Sequence, residues 1–139
     1  MDKKIIDEVN LSLGRCLLNE KAFMKSFYEN FLGSNPNFKS MFENTDMEKQ
    51  YSLLKNGLTF LLMAASGSRF ANREIDKLGL LHDKTNLNID PGLYPLWIKA
   101  LIKTVKEYDK DLNLELSGKW ELVLNDSIKK MTDVYQNKP

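Results

Sequence analysis

Apolar residues recur every three or four positions along most of the chain, and this spacing predicts amphipathic helices. The first runs over about residues 5–18 and the second, with an aromatic stripe of Phe23, Phe27 and Phe31, ends at Gly33. Further helices are predicted over about residues 36–42, 46–66, 73–82, 91–109 and 116–135. No stretch alternates as a strand does, and no internal repeat is present. The predicted fold class is therefore all-α, with about seven or eight helices.

Helix-start signals agree with these boundaries. Asparagine or aspartate followed by proline combines an N-cap with a residue suited to the first helical position. A threonine followed three residues later by glutamate forms a capping box. The predicted caps are Asn19, Asn35, Thr45, Asn72 and Asp90. Gly67 is expected to end the fourth helix, and residues 86–88 to break the fifth.

Composition limits the classes of function. A length of 139 residues predicts one domain spanning 1–139, and 42% hydrophobic with 28% charged residues is typical of a globular protein. The net charge of +1 gives no electrostatic basis for nucleic-acid binding. The start has no apolar signal segment, and the longest apolar run, residues 58–65, is far short of the ~20 residues needed to span a membrane. We expect a cytoplasmic protein without membrane contact.

The chain has one histidine, His82, and one cysteine, Cys16. On a helix, His82 shares an apolar face with Ile75 and Leu78, so a histidine satisfied within the core is its ordinary explanation and ligand binding is the other. Because the chain has only one cysteine and one histidine, it can form neither a disulfide within the chain nor a zinc site built from several His and Cys ligands. A metal centre would therefore have to come with a cofactor, which favours haem held by one protein ligand.

Residues 27–42, Phe-Tyr-Glu-Asn-Phe-Leu-Gly-Ser-Asn-Pro-Asn-Phe-Lys-Ser-Met-Phe, resemble the second and third helices of bacterial single-domain globins and of the globin half of flavohaemoglobins. Gln50 and Leu54 match the family's distal glutamine and the leucine one turn on, and His82 matches its proximal histidine. Tyr94-Pro95 and Trp120 match its last two long helices. The resemblance covers essentially the whole chain, and the caps and unequal helix lengths also suit globin-like packing better than an up-down bundle.

The resemblance implies a globin fold around a pocket for haem b. His82 is then the iron ligand, and Tyr28 and Gln50 are hydrogen-bond donors to oxygen. Bound oxygen is an acceptor with partial negative charge, and a hydrogen bond donated to it contributes ~1.5–3 kcal/mol. The resemblance therefore implies high oxygen affinity. Phe42 is expected to wedge against the porphyrin, with Leu54 and Tyr94 also in the cofactor site.

The chain departs from the flavohaemoglobin pattern in two places. The segment over residues 83–93 is longer than in typical members. The family's last helix also carries a glutamate that completes a proximal His-Tyr-Glu network, and here neither Glu121 nor Asp133 is in register with it. For the haem propionates, Lys49 and Lys84 are candidates by their nearness to pocket residues.

Four functions are compatible with the sequence. The first is a haem globin that reversibly binds oxygen, nitric oxide or carbon monoxide at ferrous iron. A nitric oxide dioxygenase is the second, and it would depend on a separate reductase because no Gly-x-Gly-x-x-Gly follows a strand. A haem-based gas sensor is the third, although no output domain is expected in a chain ending at Pro139. The fourth is a haem-free interaction module. The sequence leaves open whether the protein forms a homodimer.

Overall fold

The computed structural model describes residues 1–83 and 89–136, and these residues form helices and connecting turns without a strand. The all-α prediction is thus confirmed. The α-helices are α1 (Lys3–Cys16), α2 (Glu20–Leu32), α3 (Pro36–Met41), α4 (Met47–Ala65), α5 (Arg69–His82), α6 (Tyr94–Tyr108) and α7 (Leu114–Gln136). Short 3-10 turns at Leu17–Asn19 and Pro91–Leu93 lead into α2 and α6. The predicted break over residues 86–88 lies outside the described residues.

Two of the predicted caps are wrong. Helix α4 is capped by Asp46 rather than Thr45, because the Asp46 carboxylate accepts from the backbone N–H groups of both Glu48 and Lys49. A carboxylate at this place also carries negative charge toward the positive end of the helix dipole. The Asn35 cap is as predicted, with its side chain accepting from Asn37 N–H at 2.9 Å. Asn19 lies at its predicted position before α2 but makes no capping hydrogen bond.

Helix α5 begins about one turn earlier than predicted, because its cap is Ser68 and not Asn72. Ser68 Oγ accepts from Ala71 N–H at 3.1 Å. Asn72 lies inside the first turn, and its side-chain amide donates to Ala64 O at 3.2 Å and to Ser68 O at 2.8 Å. The amide therefore adds a hydrogen bond to a carbonyl at the end of α4 that also accepts from Gly67 N–H at 3.0 Å, and so ties the two helices together. Gly67, at φ 97°, makes the sharp turn between the two helices as predicted.

Helix packing brings the later helices together. Helix α5 packs against α4 and α7, α4 also against α7, and α2 against α6. The predicted aromatic stripe of α2 is buried in this core. Gly79 allows a close approach of α5 to α7, because a Cβ there would lie 3.2 Å from Val134 Cγ2 and 3.4 Å from Met131 Cα. This approach fixes the part of α5 that ends at His82.

A buried polar network joins α1 to the turn between α6 and α7. Asp109 is 1% exposed, and its carboxylate accepts from Ser12 Oγ at 2.5 Å and from Arg15 Nε at 2.6 Å. Trp120 Nε1 donates in turn to Ser12 Oγ at 2.9 Å. Burial alone would raise the pKa of Asp109, but the hydrogen bonds from Arg15 and Ser12 outweigh it and hold the pKa below its ordinary value. The network thus holds a charged carboxylate inside the fold.

Within residues 1–83 and 89–136, none of the helices combines the length and apolar character that crossing a membrane requires.

Candidate functional site

A cavity in the described part of the chain has a volume of about 550 Å³, within the range of roughly 300–1,000 Å³ that small molecules and cofactors occupy. Its walls come from α2 to α7 and are mostly apolar. All the predicted site residues line it: Tyr28, Phe42, Gln50, Leu54, His82 and Tyr94. Residues separated by more than 60 positions in the sequence therefore face one space. Their individual roles remain predictions.

His82 is the last residue of α5, and its ring is held by the helix itself. Nδ1 lies 2.6 Å from the carbonyl oxygen of Leu78, one turn earlier. Because a carbonyl only accepts, Nδ1 carries the proton, and in the neutral ring the lone pair is on Nε2. The backbone carbonyl of His82 also has a partner, since Ile89 N–H donates to it at 2.9 Å. This arrangement presents Nε2 as a ligand nitrogen.

Tyr28 and Gln50 bring two polar groups together at the cavity from α2 and α4. Gln50 Nε2 donates to Tyr28 Oη at 3.0 Å. Since the phenol oxygen accepts this bond, its own O–H is left to donate to another group. Tyr28 is 5% exposed, and burial raises its pKa to about 12 although the bond from Gln50 acts in the opposite direction. The phenol is therefore protonated, and able to donate, at any ordinary pH.

Aromatic and aliphatic side chains surround this polar pair. The Phe42 ring, just after α3, lies 5.8 Å from the Tyr28 ring, and Leu54 is buried one turn after Gln50. Tyr94 opens α6 and is half-buried, and burial raises its pKa to about 12. Trp97, one turn later, packs edge-on against Phe27 with ring centroids 5.7 Å apart. The polar pair therefore lies among aromatic and aliphatic side chains.

Sequence reasoning missed several lining residues. Trp97, Ile128 and Met131 lie within two predicted helices, but periodicity cannot distinguish an apolar face on a cavity from one in the core. Gly57 also lines the cavity, and it contributes no side chain to a hydrophobic pattern. Gly57 follows Leu54 by three residues, so the two share a helix face, and this spacing was the available signal that Gly57 lies at the site.

The charged residues near the cavity differ from those expected. Lys49 does not line it, and Lys84 lies outside the described residues. Lys77 lines it instead, with Nζ 3.1 Å from Glu74 Oε1. Glu121 and Asp133 are exposed on α7 and absent from the lining, where that helix contributes Ile128 and Met131. Neither of the two acids considered for a proximal network therefore lines the cavity.

The side chains available as metal ligands decide which kind of metal centre the cavity could hold. No group of three or more His, Cys, Asp or Glu side chains is placed to hold a metal ion within residues 1–83 and 89–136. One imidazole in an apolar cavity is too little to hold a free ion. It does suit a cofactor that carries its metal in a ring and needs one axial nitrogen, and haem has this chemistry. The residues present therefore fit a haem.

No family model matches the chain. The chain is 28% identical, over 124 residues, to a flavohemoprotein of Oceanobacillus iheyensis. That match covers 87% of this chain but only 30% of the relative's length.

A solved structure is more similar over the whole chain. It is a protein from Pseudomonas aeruginosa PAO1, described as structurally highly homologous to a human haemoglobin. The two are 35% identical with a TM-score of 0.88, and the match covers 94% of this chain and 98% of that one. Near-complete coverage at this identity, on an all-α fold with one histidine at the cavity, leads to one conclusion. The chain belongs to the globin family.

Proposed function

We propose that this globin binds haem b and, at its ferrous iron, reversibly binds oxygen and other diatomic gases such as nitric oxide and carbon monoxide. The observation that carries the proposal is a mostly apolar cavity lined both by His82, with Nε2 as its ligand nitrogen, and by the paired Tyr28 and Gln50. When bound, haem would supply the ferrous iron that His82 Nε2 would hold and to which a gas would bind.

In this proposal His82 holds the cofactor through Nε2. The hydrogen bond from Nδ1 to Leu78 O fixes both the tautomer and the ring orientation before any ligand arrives. Such an outer hydrogen bond also makes the ligating nitrogen more basic, an effect for which metal-binding histidines usually have a partner. In this proposal the backbone carbonyl of Leu78 is the hydrogen-bond partner of the His82 ring, a role that neither Glu121 nor Asp133 has.

Tyr28 is the proposed donor to the gas. Gln50 donates to its oxygen at 3.0 Å and thereby leaves the phenol proton free to point into the cavity. Oxygen, which accepts a hydrogen bond well when it carries partial negative charge, gains from this donor, whereas carbon monoxide gains little. Phe42 and Leu54 surround the pair with apolar surface, which strengthens the bond because water is excluded.

Similarity to part of a flavohemoprotein favours nitric oxide dioxygenase as a second candidate. A bound ferrous haem would supply the one electron that is needed to convert one nitric oxide and one oxygen to nitrate. Repeated turnover therefore requires an electron donor. Sustained nitric oxide consumption with a reductase supplied, and one nitrate per haem without it, would support this candidate.

A visible spectrum tests the main proposal. The purified chain is titrated with haem, reduced, and exposed in turn to oxygen and to carbon monoxide. We expect one haem per chain, with a spectrum that changes on oxygenation and returns when oxygen is removed. Absence of stoichiometric uptake, or irreversible oxidation as the only response to oxygen, would contradict the proposal.

Two variants separate ligation from folding. His82→Gly should lose tightly held haem, and added imidazole should restore the spectrum by entering the space that the side chain leaves. Leu80→Ala is the matched control and should retain haem normally, because Leu80 is near the end of the same helix, is half-exposed and does not line the cavity. Normal haem retention by His82→Gly without imidazole would refute the assignment of His82 as ligand.

A further inference from the structure

Gly57 lies in the middle of α4, on the face that lines the cavity. It is three residues after Leu54 and four before Leu61, and all three line the same space. A glycine inside a helix is unfavourable relative to alanine, because it has more backbone freedom to lose on folding. A glycine at this position therefore requires a physical reason.

Neither packing nor backbone conformation of the protein supplies that reason. A Cβ built on Gly57 meets no described atom within 4 Å beyond its own helix surroundings, and its φ is not in the left-handed region. Gly79 differs, since a Cβ there would contact Val134 and Met131. At Gly57 the protein leaves room for a side chain and does not use it.

Two other glycines make the comparison sharper. Gly14 in α1 and Gly118 in α7 are likewise within helices, and a Cβ added to either would meet nothing within 4 Å, but both are exposed and neither lines the cavity. Among these three, only Gly57 is half-buried and faces the proposed cofactor space. The open volume in front of it is thus part of the site and not bulk solvent.

We propose that Gly57 is a positioning residue for haem: the missing Cβ lets the flat cofactor approach the backbone of α4 between Leu54 and Leu61. This inference rests on the proposed haem-binding function. A methyl group at this place would occupy space that the cofactor needs, and overpacking a fitted site is costly. It would, however, cost the empty protein nothing.

Opposite effects on the empty and loaded protein test the proposal. Gly57→Ala and the control Gly118→Ala should both raise the urea midpoint of the haem-free chain, because alanine favours the helix in both. Haem loss to an excess of apo-globin acceptor should become about tenfold faster in Gly57→Ala, which corresponds to about 1.4 kcal/mol. It should stay within about twofold in Gly118→Ala, where no cofactor contact is proposed. Gly57→Leu, with a longer side chain, should enlarge the loss.

Each other outcome counts against the inference. Unchanged haem loss in both Gly57 variants, or equal acceleration in Gly118→Ala, would overturn it. A lower urea midpoint for haem-free Gly57→Ala would show that protein packing requires the glycine, which also overturns it. Wild-type protein that takes up no haem would refute the proposed function itself, and this inference with it.

Discussion

Replacing Tyr28 by phenylalanine removes one oxygen atom from the cavity and leaves the aromatic packing in place. The ring keeps its neighbours, including Phe27 at 5.0 Å and Phe42 at 5.8 Å between centroids. What is lost is the phenol proton offered to a gas and the acceptor for Gln50 Nε2 at 3.0 Å. The variant therefore isolates the proposed donor from the wall that surrounds it.

The size of the effect follows from the hydrogen bond. A bond to an acceptor with partial negative charge contributes about 1.5–3 kcal/mol, so oxygen should leave the ferrous Tyr28→Phe protein about ten- to hundredfold faster. Carbon monoxide association should barely change, since that ligand gains little from a donor. Because burial raises the pKa of Tyr28 to about 12, the wild-type rate should be the same at pH 7 and pH 9.

Stopped-flow displacement of oxygen by excess carbon monoxide measures the release rate directly. Tyr51→Phe is the matched control, because its ring lies 5.7 Å from that of Tyr28 without lining the cavity, and it should leave the rate unchanged. Gln50→Leu should give a smaller acceleration than Tyr28→Phe. Equal oxygen release in the parent and in Tyr28→Phe would refute the reasoning and leave Tyr28 with a packing role alone.

Two further predictions concern stability. Burial raises the pKa of both Tyr28 and Tyr94 from 10.0 to about 12, so their contribution to the free energy of unfolding is complete below pH 10 and is lost as the pH rises to 12. In urea titrations, Tyr94→Phe should lose less stability than the wild type between pH 10 and pH 12. An equal loss in both proteins would contradict this. Asp109→Asn should destabilise the chain by about 1–3 kcal/mol at pH 7, because Arg15 and Ser12 lose a buried carboxylate. Since the pKa of Asp109 is lowered, that difference should shrink as the pH falls below its ordinary value of 3.8, whereas the exposed control Asp111→Asn should change stability little at either pH.

The fold was largely predictable because each helix has a strong apolar face of its own. Periodicity is a local property, so it survives whatever the helices later pack against. Helix starts were less predictable, because several polar residues lie near each one and the structure decides which reaches the free N–H groups. Asp46 replaces Thr45 because its carboxylate reaches two of them. Asn72 proved to bridge α4 and α5 instead of capping, a role that depends on the turn at Gly67.

The site residues taken from the family resemblance converge on one cavity, but their pairing could not be read from the sequence. That Gln50 donates to Tyr28, and that His82 donates to Leu78, depends on how α2 and α4 cross and on where α5 ends. Nearness in sequence favoured Lys49 and Lys84 as charged neighbours of the cavity. Lys49 does not line it and Lys84 lies outside the described residues, whereas Lys77, five residues before His82 on α5, does line it.

A cavity is a property of several helices together, and this explains both what the helix pattern detects and what it omits. Leu54, Leu58 and Leu61 form one apolar stripe on α4, and the same stripe would result from a solid core or from a face on an open space. A hydrophobic pattern detects side chains, so Gly57, in the middle of that stripe, adds nothing to it. The absent Cβ of Gly57 becomes informative only in the folded protein, where the other helices leave an open volume in front of it. A helical glycine with open space before it is therefore ordinary on the exposed faces of α1 and α7, whereas on the cavity face of α4 the same open space supports the proposal that a ligand approaches the backbone there.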